Sequence, residues 1–66
     1  MTLHISDGAR ASLNAGSRYQ TWFAVCDSRK KDAIAMEVHI CLTTAKRKAR
    51  MCGGCVRVMS ANGDTL

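Results

Sequence analysis

The sequence predicts a small α+β domain: an antiparallel hairpin over 19–26 and 33–42, one short basic helix near 43–52, and a C-terminal strand near 55–59. Three observations predict it. Residues 19–26 read Tyr-Gln-Thr-Trp-Phe-Ala-Val-Cys, a run of aromatic and β-branched side chains suited to a strand. Residues 33–42 alternate strictly, with Ile34, Met36, Val38, Ile40 and Leu42 on one side and Glu37, His39 and Cys41 on the other. Residues 43–52 carry Ala45, Ala49 and Cys52 at helical spacing among Lys46, Arg47, Lys48 and Arg50.

Taken in order, residues 1–18 form an N-terminal arm, with either one short strand at 2–5 or no fixed structure. Ser6-Asp7-Gly8 and Asn14-Ala15-Gly16-Ser17 are turn chemistry, leaving at most one helical turn over 9–13. The compact domain is expected to span 19–66. Its two strands should meet in a hairpin turning around 28–31. With Asp27 opposite Asp32, Val25 pairs with Ile34, Phe23 with Met36, Thr21 with Val38 and Tyr19 with Ile40. One sheet face is then continuously apolar, which favours this register. The other face carries Gln20, Trp22, Ala24, Glu37 and His39, with Trp22 opposite Glu37.

Thr43 or Thr44 is the expected N-cap of the helix. Gly53-Gly54 supplies the residue type that ends helices in the left-handed conformation. The chain resumes as a strand at Cys55-Val56-Arg57-Val58-Met59 and closes with a tight-turn signal at Ala61-Asn62-Gly63-Asp64.

Size and charge bound the function. A chain of 66 residues holds one small core, and such cores often gain support from a metal, a disulfide or a partner subunit. The net charge is +5, and eight of the ten basic residues stand at position 29 or beyond. Long-range attraction to polyanions follows from that balance, although a solvated basic face is the commoner reason for it. No apolar run approaches the roughly 18 residues of a membrane span, and no secretory leader is legible. The expected location is the cytoplasm, where free thiols or metal ligands are the usual states of cysteine.

The basic residues fall in two groups. Arg29, Lys30 and Lys31 mark the hairpin tip; Lys46, Arg47, Lys48 and Arg50 mark the helix. The first three of the helix stand near its expected N-terminus, where the macrodipole disfavours cations and an anion would compensate. Together the groups are candidate contacts to nucleic acid or a ribonucleoprotein. The stacking aromatics of single-strand binders are nearly absent, since Tyr19, Trp22 and Phe23 are the only aromatic residues.

Cys52-Gly-Gly-Cys55 has the spacing for two zinc ligands, and His39 with Cys41 would complete a set of four. No cofactor is otherwise expected, and buried unreactive thiols are the simpler reading. A redox role for Cys52 and Cys55 is disfavoured, because activated C-x-x-C thiols sit at helix N-termini and this motif follows a helix C-terminus. Catalysis has no foothold. The five carboxylates, Asp7, Asp27, Asp32, Glu37 and Asp64, pair with no nucleophile or metal motif. Glu37 beside His39 is the nearest approach to an acid–base couple, and a polar sheet face explains it as well. Gly53-Gly54 follows a helix instead of opening one, so it is no phosphate loop.

The reading is a small basic, non-enzymatic binding protein that contacts nucleic acid or a ribonucleoprotein. Two alternatives stand beside it. One is a small inhibitor or adaptor, of the kind mobile-element genomes encode, docking on a protein or a second copy through Trp22 and Glu37. The other is a zinc-stabilised binding module. No membrane partner is expected.

Overall fold

A computed structural model describes residues 4–16, 18–30 and 32–65. Six elements follow in order: β1 (His4–Ile5), α1 (Asp7–Ala15), β2 (Thr21–Cys26), β3 (Ile34–His39), α2 (Leu42–Cys52) and β4 (Cys55–Ser60). The strands form one mixed sheet in the order β1-β3-β2-β4. β1 runs parallel to β3, while β2 is antiparallel to both β3 and β4. The architecture is a small α+β fold. It holds the expected hairpin, basic helix and C-terminal strand, takes the strand alternative near the start of the arm, and adds a second helix.

The added helix begins at a cap. Ser6 is extended, and its hydroxyl accepts the Ala9 N–H at 3.2 Å, satisfying one of the orphan donors of the first turn. Asp7 follows in that turn, where the macrodipole favours a carboxylate. Ala9 and Leu13 stand one turn apart and are both buried. The Ser6 N–H also donates to the Ala35 carbonyl at 3.0 Å, which fixes the start of α1 to β3.

Successive strand residues face opposite ways, and β2 uses both faces. Trp22, Ala24 and Cys26 pack with Ala9 and Leu13 of α1, together with Ala33, Ala35, Val38 and Met59. Phe23 and Val25 pack with Ala45 and Ala49 of α2, together with Val56. The sheet is therefore covered by one helix on each face. The face expected to dock a partner through Trp22 is covered by α1, and Trp22 is a core residue at 6% exposure. Its ring meets Tyr19 edge-on at 6.1 Å, and its indole N–H donates to the Tyr19 carbonyl at 3.1 Å.

The hairpin register also differs from the expected one. Cys26 lies opposite Ala35, and beyond a bulge Val25 lies opposite Glu37, Ala24 opposite Val38 and Phe23 opposite His39. The extra residue in β3 breaks its strict alternation. Ala35 and Val38 consequently share the α1 side, while Ile34 and Met36 remain 41% and 50% exposed. Small side chains on this side let the helix lie close: Ala9 of α1 and Ala24 and Ala35 of the sheet are all essentially inaccessible. The turn itself is held by Asp27, whose carboxylate accepts the Ile34 N–H at 3.0 Å while its own N–H donates to the Ile34 carbonyl.

α2 starts one residue before the earlier of the two expected caps. Its N-cap is Cys41, with no side-chain capping bond, and Thr43 and Thr44 lie inside the helix. Gly53 ends it at φ 71°, a left-handed conformation that favours glycine. Gly54 then carries the chain directly past β2. A Cβ at Gly54 would collide with the carbonyl oxygen of Cys26, so only glycine permits this approach. β4 ends in a tight turn in which the Gly63 N–H reaches the Ser60 carbonyl, and Met59 pairs with Thr65.

Candidate nucleic-acid interface

The basic residues converge where α2, β4 and the β2–β3 turn meet. Ala45 and Ala49 set the buried stripe of α2. Lys46 and Arg50 lie one residue on from that stripe and one turn apart, so they flank the seam between helix and sheet. Arg29 approaches the same seam from the turn. Arg29, Lys46, Ala49, Arg50, Gly54, Cys55 and Val56 line one cleft of about 380 Å³. A smaller groove of about 240 Å³ continues along the helix, lined by Thr43, Lys46, Arg47 and Arg50. Lys46 and Arg50 belong to both.

Among the described residues, no acidic side chain lines either depression. Two cations at i and i+4 repel by about 0.2–0.5 kcal/mol in an isolated helix, so the pair Lys46 and Arg50 is a small local cost without a counter-charge. Two of the five carboxylates, Asp7 and Asp32, line a separate depression of about 710 Å³ with His4, Ile5, Ser6, Ile34 and Met36.

The other basic residues take different positions. Lys48 is exposed on α2 and lines neither depression. Lys30 contributes its carbonyl to the turn, accepting from the Ala33 N–H at 3.1 Å and from Arg57 Nη2 at 3.0 Å. Lys31 lies outside the described residues. Arg57 lines neither depression; it pairs with Ala24 on the α1 side of the sheet. It ties β4 to the turn that carries Arg29, and its buried Nε finds no hydrogen-bond partner among the described residues. Its signal in the sequence is slight, a lone cation within an apolar strand.

The dipole argument for an anion at the start of α2 does not hold. The helix begins at Leu42, so Lys46, Arg47 and Lys48 stand beyond the first turn, where the dipole effect has faded. Of the three, Lys46 and Arg47 border the depressions and Lys48 does not.

The zinc set is also corrected. Cys41 caps the start of α2 and Cys52 stands in its last turn, roughly 16 Å away at 1.5 Å per residue. One ion cannot join them, and no group of three or more potential ligands gathers among the described residues. His39 lies on β3 with Nε2 buried and without a hydrogen-bond partner among the described residues, 3.8 Å from a Glu37 oxygen. That separation is too long for a hydrogen bond.

Trp22 and Glu37, expected on one docking face, point to opposite sides. Trp22 faces α1 opposite Met59, and Glu37 lies opposite Val25 on the α2 side. No helix among the described residues is long and apolar enough to cross a membrane. Compared with protein families, curated proteins and solved structures, the chain matches none.

Proposed function

We propose that the chain is a non-enzymatic binding protein whose ligand is a nucleic acid or ribonucleoprotein, held by phosphate contacts in the cleft between α2 and β4. One observation carries this reading: Arg29, Lys46 and Arg50, from two distant segments, line a single depression with no acidic side chain among its described residues. Guanidinium groups suit this task, because their planar fork pairs with phosphate oxygens through two parallel hydrogen bonds. Arg47 extends the track along the helix groove. Backbone contacts of this kind supply affinity without sequence readout.

The test is binding to labelled single-stranded DNA, duplex DNA and RNA across a salt series. The proposal expects affinity that falls steeply as salt rises. Absence of binding at low salt would end it.

A second reading is favoured by the exposed Ile34 and Met36 beside Asp7 and Asp32. There the chain would act as an inhibitor or adaptor that docks on a protein through the β1–β3 edge. Met36→Glu should abolish such a complex and leave nucleic-acid binding intact; Arg50→Glu should do the reverse.

A further inference from the structure

We propose that Cys26 and Cys55 form a reversible cross-strand disulfide, and that this pair, not the C-x-x-C motif, is the protein's intramolecular thiol couple. The two residues lie directly opposite each other in the β2–β4 ladder. Opposed residues in antiparallel strands have Cα atoms about 4.5–5.5 Å apart, within the roughly 4.4–6.8 Å that a disulfide spans. Their side chains share a face, and Cys55 is close enough to act on the Cys26 thiol.

Cys52 is placed otherwise. It ends α2, which covers the opposite side of the sheet, while Cys55 packs beside the α1-side core. The Cys52 thiol turns back to the Ala49 carbonyl at 3.5 Å. Cys41 stands at the far end of α2. Neither is a partner for Cys55.

Access sets the order of events. Cys26 is fully buried, whereas Cys55 is partly accessible and its thiol donates to the Ser28 carbonyl at 3.3 Å. Cys55, as its thiolate, attacks a sulfur of a small disulfide oxidant such as oxidised glutathione. One glutathione thiolate leaves and takes up the proton that Cys55 released. Cys26, deprotonated in turn, attacks the Cys55 sulfur and expels the second glutathione. Two protein thiols are oxidised to one disulfide, and one glutathione disulfide is reduced to two thiols. The new bond ties the edge strand β4 to β2.

The experiment is intact-mass and peptide mapping of the wild-type chain equilibrated with reduced and oxidised glutathione, with free thiols blocked at quench. The expected result is loss of two hydrogen atoms, a single intramolecular Cys26–Cys55 link, and its disappearance on reduction. The Cys41→Ser/Cys52→Ser double variant should form the same link, and its thermal midpoint should rise on oxidation. A Cys52–Cys55 link, links only between chains, or four free thiols under the most oxidising buffer would each overturn the proposal.

Discussion

Arg29 and Arg50 line the same cleft, although Arg29 stands in the turn after β2 and Arg50 in the last turn of α2. The cleft is a product of packing. Ala49 and Gly54, both small, leave space between helix and strand, and the cations border it. The contacts that build this junction therefore predict both stability and binding.

Gly54 should tolerate no side chain. Alanine there would drive a methyl group into the Cys26 carbonyl, and β2 and β4 would have to part. A cost of about 1–3 kcal/mol is expected from such overpacking. Urea unfolding of Gly54→Ala should show a lower midpoint than wild type; an unchanged midpoint would contradict the close approach.

Trp22→Ala should unfold the chain or nearly so. Removing a buried tryptophan costs about 3–5 kcal/mol, which is most of what a domain this small has in hand. Circular dichroism should show loss of structure, whereas the exposed Met51→Ser should melt like wild type. A folded Trp22→Ala variant would contradict the core assigned here.

The thiols should titrate apart. Burial, followed by the adjacent Cys55, pushes the Cys26 thiol up to about 11 from 9.0, while Arg57 pulls the other way. Between those values the unfolded chain has released a proton that the folded chain keeps. The resulting stabilisation, on the order of 2 kcal/mol, is complete below about pH 9 and is lost as the pH rises through 11. Chemical unfolding from about pH 8 to 11 should therefore show a steeper loss of stability for wild type than for Cys26→Ala. Parallel curves would contradict it.

Cys41 is the opposite case. The N–H of Thr44, then its hydroxyl, then the N–H of Thr43 favour the thiolate and lower its pKa. The thiol is exposed, so limiting iodoacetamide at neutral pH should label Cys41 first and Cys26 last. Mass mapping that finds Cys52 modified before Cys41 would argue against this placement.

Much of the architecture was legible in the residues, and the failures have physical causes. The basic helix was readable from Ala45, Ala49 and the Gly53-Gly54 stop. The strand runs were readable from side-chain type. The register was not, because Ile34 and Met36 look like core by size, whereas Ala24 and Ala35 occupy the core where α1 must come close. A bulge leaves no mark in an alternating run. α1 carried a signal that turn chemistry hid: Ser6 before Asp7 is an N-cap pattern, and Ala9 with Leu13 is helical spacing. Missing that helix left Trp22 seemingly exposed and gave it a docking role. For the site, residue type identified the cations, but only tertiary packing could join Arg29 to Lys46 and Arg50 and leave Lys48 aside. The C-x-x-C spacing pointed to Cys52, while strand pairing gave Cys55 a different neighbour.

The most direct test of the central claim compares salt slopes for nucleic-acid binding by wild type, Arg29→Glu/Lys46→Glu/Arg50→Glu and Lys48→Glu. Each phosphate contact contributes about 0.9 to the log–log slope on duplex DNA, or about 0.7 on single strands. The account predicts that the triple variant loses about 2–3 units of slope and most of its affinity, while Lys48→Glu changes little. Equal losses from Lys48→Glu, or an unchanged slope in the triple variant, would contradict a phosphate site in the α2–β4 cleft.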